Sequence, residues 1–361
     1  MSNEAMIPDN VDRMLLRVLQ ETFAKEPWRK TAPVVVINDA TGALSYWALE
    51  NDLDVRFVQD SAALGALQAS VTGPIATCPN PDVLKGATTV LYRLARPLEA
   101  LEELAWQVAA WADPKVLLLA GQLQRHLNFS MNAVLADVFD NVSASRGYHK
   151  ARALRATAPK ALAGHAPARM PRKNNVTVGA ESLELRAYGL TFGAAKLDPG
   201  TRLLLDTLTM HGMDSFVPGS SAVDLGCGNG TVAAFLAQKT HNVAIIATDD
   251  SASALRSTQA TLAANTLAGV ALVHQSGLVT LEDASIDTIV LNPPFHKGTE
   301  ITGDIARFLF AEAGRVLKPG GILWTVFNVS RRYHKALVKL VGPTEQIARD
   351  SRFIVTRSQK V

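Results

Sequence analysis

Cysteine is almost absent from this chain of 361 residues, in which only Cys78 and Cys227 occur. Two cysteines in different halves of a chain cannot form a disulfide framework or a metal cage, so we expect the reducing cytosol and no bound metal. Aromatic residues are also scarce, since they make up 6% of a chain that is 48% hydrophobic. An aromatic residue beside a motif is therefore a candidate ligand contact.

Long apolar stretches are missing as well. No run in the sequence approaches the roughly 18 uncharged apolar residues of a membrane-spanning helix. Residues 1–20 carry acids and have no continuous apolar core of the kind that secretory signals contain. We therefore expect a cytoplasmic protein with no membrane partner.

The formal net charge is only +3, but the basic residues are unevenly distributed. From Glu312 to the end of the sequence there are ten lysines and arginines and three acids. A second run, from His149 to Lys173, contains no acid and seven basic residues, namely Lys150, Arg152, Arg155, Lys160, Arg169, Arg172 and Lys173. Each run alone is equally well explained as a solvated linker or tail. Together they favour a polyanionic partner such as RNA.

The length suggests two domains. In the first part, apolar strands are predicted at 33–37, 54–58, 88–93 and 115–120, with a helix at 97–111. After residue 174 a hairpin around Gly179 and a helix at 200–210 are predicted. The strands that follow are predicted at 223–225, 243–248, 271–274, 288–291 and 322–326, and the helices at 230–238, 251–265 and 303–317. This alternation predicts an α/β fold with two mostly parallel, doubly wound sheets.

Residues 151–174 are rich in alanine, proline and basic residues and lack apolar periodicity, which predicts a basic linker. We therefore expect one domain at 1–150 and a second at 175–361, as tandem copies of one Rossmann-like architecture. The loop after the first strand, 38–44, corresponds to 224–230 in the second copy. Only the second loop has closely spaced glycines, so the first copy is predicted to be degenerate.

The segment Asp-Leu-Gly-Cys-Gly-Asn-Gly follows a predicted strand and opens a helix, a context in which glycines let backbone N–H groups approach a ligand. A dinucleotide site is the alternative. The spacing is Gly-x-Gly-x-Gly, however, and an acid precedes it, which suits the ammonium group of a methionine moiety. S-adenosylmethionine therefore fits better than NAD, with contacts from Asp224, Gly226, Gly228 and Gly230.

Two further positions extend this cofactor site. Asp249 ends the next predicted strand, where a carboxylate can accept both ribose hydroxyls. Asp250 is either an adenine-side contact or a helix N-cap, a role for which Ser251 is also competent. After the third strand, Ser276 is predicted to line the adenine edge.

A fourth strand ends in Asn-Pro-Pro-Phe, residues 292–295. Asn-Pro also occurs as an ordinary turn starter. The Asn292 side-chain oxygen and the Pro293 carbonyl can both accept hydrogen bonds from an exocyclic amine, while Phe295 offers a face for stacking. With the glycine loop and Asp249 in order before it, the tetrapeptide predicts methyl transfer to nitrogen, with Asn292 contacting both ligands.

These landmarks resemble the class I S-adenosylmethionine-dependent methyltransferases. The narrower resemblance is to the bacterial ribosomal RNA guanine-N2 methyltransferases with a duplicated methyltransferase fold. It depends on Val-Asp-Leu-Gly-Cys-Gly-Asn-Gly at 223–230, Asn-Pro-Pro-Phe-His at 292–296, and Phe192 with Leu197-Asp198-x-Gly200. The segment Ile-Asn-Asp-Ala-x-Gly-Ala-Leu at 37–44 looks more like the large-subunit enzyme than its small-subunit relative.

The resemblance implies a catalytic second copy and a first copy that helps to hold RNA. It also implies a set of substrate contacts, which are Phe192, Lys196, Asp198, Pro294, His296 and Asn328. The family segment Phe-Ser-Arg-x-Gly-Leu-Asp reads Phe-Gly-Ala-Ala-Lys-Leu-Asp here, so Ala194 and Lys196 replace its arginine and glycine. This departure leaves the identity of the target base open.

The implied activity is methylation of the N2 amine of a guanine in ribosomal RNA, either free or in a subunit, by a monomer. The same tetrapeptide can hold adenine N6 or a protein glutamine amide, so these remain alternative targets. A noncatalytic RNA-binding factor for ribosome assembly is a further alternative, against which the intact glycine loop argues.

Overall fold

The computed structural model describes residues 7–162, 170–179, 181–294 and 301–361, with side chains from residue 304 in the last range. Phe295 and His296, two of the predicted site residues, lie outside these ranges. The chain divides into two compact units, Met1–Met170 and Pro171–Val361. Within the described residues, no helix has the length and apolar character needed to cross a membrane.

The first unit is a six-stranded sheet with helices on its faces. Its helices are α1 (Asn10–Lys25), α2 (Ala43–Glu50), α3 (Ala62–Thr72), α4 (Pro81–Leu84), α5 (Leu98–Trp111) and α6 (Phe129–Val138). Its strands are β1 (Val34–Ile37), β2 (Val55–Val58), β3 (Thr89–Arg93), β4 (Leu117–Leu123), β5 (Phe139–Ala144) and β6 (Ala151–Pro159). The order is β2-β1-β3-β4-β6-β5, in which the first four strands are parallel and the last two join antiparallel.

The predicted linker at 151–174 is wrong for its first nine residues, which form β6 and pair with β4 from Leu117 to Leu123. Ala151, Ala153 and Ala156 are buried, whereas Arg152 is exposed and Arg155 is partly exposed. Small apolar and basic residues thus alternate as on a half-buried strand. The absence of helical periodicity did not indicate a linker here, and the end of the stretch, from Arg172, belongs to a strand of the second unit.

The second unit begins with the predicted hairpin, β7 (Arg172–Val178) and β8 (Glu181–Ala187). Its other strands are β9 (Ser221–Leu225), β10 (Ala244–Asp249), β11 (Val270–His274), β12 (Ile286–Leu291), β13 (Leu317–Asn328), β14 (Thr344–Arg349) and β15 (Phe353–Gln359). Its helices are α7 (Pro199–His211), α8 (Thr231–Lys239), α9 (Ala252–Ala264), α10 (Ile301–Val316) and α11 (His334–Leu340).

These seven later strands form one sheet in the order β11-β10-β9-β12-β13-β15-β14. From β9 the chain adds β10 and β11 on one side of that strand, and it then crosses to the other side of β9 to form β12. The strand order therefore reverses between β9 and β12, and in such sheets ligands bind in the crevice at the carboxyl ends of the strands there. The central strands are buried on both faces, as Val223, Leu291 and Trp324 show.

The two sheets follow the same plan. In each, the chain places its first strands on one side of the reversal, crosses to the other, and ends with an antiparallel pair. The described part of the first unit has no full strand in the place of β11. A single parallel bridge between Val58 and Ala76 occupies that edge of β2. This topology confirms the prediction of two Rossmann-like copies.

Candidate active site

A cavity opens at the carboxyl ends of β9 and β12, where the strand order reverses. Its described lining combines the loop at 192–198, called here the upstream loop, with the start of α7, the glycine loop at 224–230 and the first residue after β12. The lining residues are Phe192, Gly193, Lys196, Asp198, Thr201, Asp224, Gly226, Cys227, Gly228, Asn229, Thr231, Val232 and Asn292. The sequence motifs at 192–198, 224–230 and 292 therefore converge on one site.

The glycine loop adopts a conformation that requires glycine at three positions. The φ angles are +76° at Gly226, +55° at Gly228 and +78° at Gly230, all in the left-handed region. The loop is held against β10 because the N–H groups of Gly226 and Cys227 both donate to the Thr248 carbonyl at 2.9 Å. The spaced glycines thus follow from backbone geometry.

Asp224 lies at the end of β9 and is 3% exposed. Its Oδ2 accepts a hydrogen bond of 2.9 Å from the N–H of Ala233 in the first turn of α8. Burial raises the pKa of this carboxyl to about 7, the hydrogen bond from Ala233 opposes that rise, and the nearby charge of Asp249 adds to it. Within the described residues Asp224 has no ion-pair partner, so the cavity offers a cationic ligand group an uncompensated acid.

Asp249 ends β10 beside the glycine loop. Its Oδ2 accepts from the Gly228 N–H at 3.0 Å, and its Oδ1 accepts from the Ser251 N–H at 2.9 Å. The carboxylate is therefore fixed in orientation beside the glycine loop. The helix-capping alternative for Asp250 is wrong, because the Ser251 hydroxyl caps α9 by accepting from Ala254 at 3.2 Å.

Ser276 follows β11, which pairs with β10 up to the level of Asp249. Its neighbour Gln275 is 3% exposed and donates its backbone N–H to the Asp249 carbonyl at 3.1 Å. The Gln275 side-chain nitrogen is buried and has no hydrogen-bond partner among the described residues. An unsatisfied donor thus lies next to the predicted adenine edge.

Asn292 is held by two contacts that the sequence did not predict. Its Nδ2 donates to Asp198 Oδ2 at 3.1 Å and to Thr201 Oγ1 at 2.9 Å. Its Oδ1 is buried, and no donor in the described part of the chain reaches it. Pro293 is buried and Pro294 half-buried. The site therefore presents one fixed and unsatisfied acceptor of the type that an exocyclic amine requires.

Asp198 also caps α7 through the N–H of Thr201 at 2.9 Å. Its geometry orients Asn292, a role that differs from the predicted substrate contact, although Asp198 does line the cavity. Phe192 is 55% exposed at the cavity, and Lys196 is exposed beside it. Both are therefore placed where a substrate can reach them.

Asn229 is a site residue that the sequence prediction missed. Its Nδ2 donates to the carbonyls of Ala194 and Lys196, both at 2.9 Å, and so ties the glycine loop to the upstream loop. Ala194 has a φ of +50°, and this tie holds its strained backbone. The signal in the sequence was an asparagine between two glycines of the loop, at Gly228-Asn229-Gly230.

One further predicted position, Asn328, has no demonstrated contact with the cavity. It ends β13, its Oδ1 accepts from the Ser330 N–H at 3.0 Å, and it is not among the described lining residues.

Cys227 lies between two glycines of the loop and lines the cavity, but burial raises the pKa of its thiol well above the usual value. The thiol therefore stays protonated, which is unfavourable for a nucleophile.

The first unit has lost the corresponding groups. Gly42 caps α2 with a φ of +76°, as Gly230 caps α8, so the structural match is shifted by two residues from the predicted alignment of 38–44 with 224–230. With this register, Val36 and Gln59 replace the acids Asp224 and Asp249. Both positions therefore lack a carboxylate, although Asp39 in the same loop accepts from the Ser45 N–H in the first turn of α2, as Asp224 accepts from Ala233 in α8.

The position of Asn292 is also changed in the first unit. Arg93 ends β3 there and forms ion pairs with Asp9, the N-cap of α1, and with Asp12. A salt-bridged cluster therefore stands where the second unit has an asparagine held by Asp198 and Thr201. No unsatisfied side-chain acceptor has been found at this place in the described first unit.

Comparison with known proteins gives matches for both units. The Methyltransferase small domain model matches residues 183–357, and the RLMG N-terminal domain model matches residues 8–160. The ribosomal RNA large subunit methyltransferase G of Shewanella amazonensis is 30% identical and aligns with 98% of this chain and 92% of its own length. The enzyme of the same name from Pseudomonas putida is also 30% identical, with 98% and 93% covered.

A solved structure matches the whole chain. It is the 16S rRNA guanine-N2 methyltransferase RsmC of T. thermophilus in complex with AdoMet and guanosine. The TM-score is 0.77 at 20% identity, and the match covers 99% of this chain and 93% of that one. At this identity the match establishes the fold.

Proposed function

Since the chain belongs to the ribosomal RNA large subunit methyltransferase G family, we propose that it methylates the N2 amine of a guanine in large-subunit ribosomal RNA. The curated relatives carry this large-subunit name, and the related fold has been solved with AdoMet and guanosine. The methyl donor is S-adenosylmethionine. The protein acts as a monomer in the cytoplasm, where its substrate is made.

The observation that carries the proposal is the unsatisfied Oδ1 of Asn292. A buried acceptor without a partner costs free energy, and an amine N–H from the substrate removes that cost. The Nδ2 contacts to Asp198 and Thr201 fix which face of the amide points to the cavity. The amide is therefore positioned before the substrate arrives.

The residues of the cavity also fit the cofactor. Asp224 offers a buried carboxylate to the ammonium group, and Asp249 offers a fixed one to the ribose hydroxyls. The positive φ angles of the glycine loop keep Cβ atoms out of the space between them. When bound, S-adenosylmethionine supplies a methyl group activated by a positively charged sulfonium.

The chain's own residues assist mainly by positioning. Asn292 Oδ1 and the Pro293 carbonyl each accept an amine hydrogen, which favours a pyramidal nitrogen with an available lone pair. The same two oxygens stabilise the positive charge that develops on the nitrogen. Phe192 covers the base from the loop at 192–198, and the stacking role proposed for Phe295 falls on a residue outside the described ranges. The proton leaves to water without a strong base.

The first unit contributes RNA binding. An exposed aromatic residue, Phe129, follows the carboxyl end of β4 and begins α6, where it is 92% exposed. Arg96 and Arg125 are exposed nearby. Partial burial lowers the pKa of His126, and the charges of these two arginines lower it further. An exposed ring beside clustered cations suits a single-stranded RNA, whose bases stack and whose phosphates are anionic.

The test uses labelled S-adenosylmethionine with ribosomal RNA from cells that lack this enzyme. We expect label in large-subunit RNA, recovered as N2-methylguanosine after digestion and mass spectrometry, and none in small-subunit RNA. Free RNA and assembled subunits are assayed side by side. Label in N6-methyladenosine or in protein glutamine, or RNA binding without label, would contradict the proposal.

A further inference from the structure

A second cavity lies in the second unit, where β13 ends and α11 begins. Its volume is about 420 Å³, which is within the usual range of ligand pockets. Its lining includes the apolar Phe327 and Ile354, the buried Tyr333 and Thr356, and Gln346 of β14. The mechanism proposed above uses none of these residues.

A row of polar side chains crosses the sheet into this cavity. Thr325, Thr356 and Gln346 are cross-strand partners on β13, β15 and β14, so they share one face. Thr325 and Thr356 are 0% and 1% exposed, whereas Gln346 is exposed. The Oγ1 atoms of both threonines have no hydrogen-bond partner among the described residues. The row therefore leads from unsatisfied buried hydroxyls to the cavity mouth.

Tyr333 adds a third unsatisfied hydroxyl. Its ring is 7% exposed and packs edge-on against Phe310 and Phe327, with centroid distances of 5.3 and 5.5 Å. Its OH finds no partner in the described part of the chain. Buried hydroxyls without partners oppose folding. Tyr333 and Thr356 both line the cavity, so a polar ligand there can satisfy them.

The mouth of the cavity is basic. Arg332 and Lys335 are exposed on the segment that precedes and begins α11, and Arg331 and His334 lie beside them. The described lining contains no acidic residue. The ligand that this combination fits has a negative charge outside, a flat apolar body and polar edges. A nucleotide has all three.

The position relates this cavity to the active site. β13 is the parallel neighbour of β12, with Leu291 opposite Thr325, so both cavities lie at the carboxyl edge of one sheet. Neighbouring strands are about 4.8 Å apart. Thr325 shares the face of its partner Leu291, whereas Asn292 follows Leu291 and projects to the other face, where it contacts Asp198 and Thr201. A strand of RNA that passes over the carboxyl edge can therefore present its target guanine to Asn292 and a flanking nucleotide to the second cavity.

We propose that this cavity binds a nucleotide adjacent to the target guanine. Arg332 and Lys335 contact its phosphate, Phe327 and Ile354 contact the face of the base, and Tyr333, Thr356 and Gln346 hydrogen-bond its edge. Unpaired RNA bases are recognised by insertion of this kind. The proposal requires that RNA is the substrate, as inferred above, and it assigns part of the sequence selectivity to the flanking nucleotide.

The test compares three substitutions that each remove one buried hydroxyl, Tyr333→Phe, Thr356→Val and Thr325→Val. Thr325 is the matched control, because it is equally buried and unsatisfied but does not line the cavity. We expect the KM for unmodified large-subunit rRNA to rise about fivefold in the first two variants. We expect kcat and cofactor affinity to stay unchanged in all three.

A second measurement does not depend on the buried core. Arg332→Gln removes an exposed charge, and we expect the slope of log affinity for rRNA against log salt to fall by about one. An unchanged KM in Tyr333→Phe and Thr356→Val, with a raised melting temperature as in Thr325→Val, would overturn the proposal. Failure of the wild-type protein to methylate rRNA would instead overturn the proposed function.

Discussion

Asn292 is the residue whose chemistry is best defined by its neighbours. A free asparagine side chain presents its oxygen and nitrogen interchangeably, but Asp198 and Thr201 take both hydrogens of the amide. The oxygen is left buried and without a partner in the described chain, on a residue that lines the cavity.

Replacement of Asn292 with alanine is expected to lower kcat at least a hundredfold, as does loss of one fixed polar group that stabilises a transition state. The dissociation constant for S-adenosylmethionine, measured by calorimetry, should change less than about threefold. Asn175→Ala is the matched control, because Asn175 is exposed on β7 away from the cavity lining. Equal losses of catalysis and cofactor affinity would contradict the assignment.

Asp224 makes cofactor binding dependent on pH. Burial raises its pKa to about 7, and a cationic ammonium group prefers the ionised carboxylate. We expect the affinity for S-adenosylmethionine to increase between pH 6 and pH 8. At pH 6 binding should release a proton, which calorimetry in buffers of different ionisation enthalpy detects. Asp224→Asn keeps the acceptor for Ala233, and it should remove the proton release.

The same acid affects stability in the opposite direction. The folded pKa of about 7 exceeds the unfolded value of about 3.9, so the folded state binds the proton more tightly. The stabilisation is complete below pH 4 and is lost as pH rises through 7. In the absence of cofactor, denaturant unfolding of Asp224→Asn should lack this loss. A wild-type affinity that stays flat from pH 6 to 8 would contradict the role of Asp224 in cofactor binding. A pH dependence of stability that is the same in Asp224→Asn as in the wild type would contradict its effect on folding.

At the scale of elements, the loop between β9 and α8 joins two requirements in one short segment. It must turn the chain with left-handed residues, and it must leave space for a ligand. Gly230 meets the first requirement, and its packing also excludes a larger residue, because a Cβ there would lie 2.8 Å from Thr258 Cα. A Cβ on Gly226 would meet no atom within 4 Å and would point into open space at the cavity.

Gly230→Ala and Gly226→Ala should therefore separate stability from binding. Both require a left-handed alanine, which costs roughly 1 kcal/mol. Gly230→Ala adds a clash with backbone and should lose at least about 2 kcal/mol in denaturant unfolding. Gly226→Ala should lose less stability but at least tenfold in affinity for S-adenosylmethionine. The reverse order of stability losses would contradict the packing argument.

At the scale of the whole molecule, one architecture occurs twice with divided roles. The first unit keeps the strand order but replaces Asp224, Asp249 and Asn292 with Val36, Gln59 and Arg93. Its loop is bound internally, since Gln68 donates to the Asp39 carbonyl while the Asp39 side chain accepts from Ser45. The second unit keeps two acids and an amide acceptor at these positions. Its cavity therefore holds the groups that the proposed chemistry requires, and the proposed role of the first unit is to bind RNA.

Binding by the first unit is tested with Phe129→Ala and Arg125→Gln. We expect Phe129→Ala to weaken rRNA binding about tenfold through loss of stacking, with little change in salt dependence. Arg125→Gln should lower the salt slope by about one. The cofactor affinity of both variants should equal that of the wild type. Unchanged rRNA affinity in both variants would place the RNA-binding surface elsewhere.

The sequence alone determined what depends on local order. Strand and helix positions follow from apolar periodicity, and the glycines at 226, 228 and 230 are required wherever the loop must turn with positive φ. These local features predict the fold, the cofactor loop and the candidate amine acceptor. The alternation of alanine and arginine in β6 is equally local, and its period of two indicates the strand at a place where composition alone predicts a linker.

Only the tertiary structure decided which distant groups meet. Asn292 is oriented by Asp198 and Thr201, more than 90 residues earlier in the chain, and Asn229 reaches Ala194 across the site. The buried hydroxyls of Thr325 and Thr356 lie side by side because β13 and β15 pair antiparallel, and Thr356 lines the second cavity together with Tyr333. Such contacts depend on burial and sheet register, which are fixed by the packing of the whole unit and leave no periodic signal in the sequence.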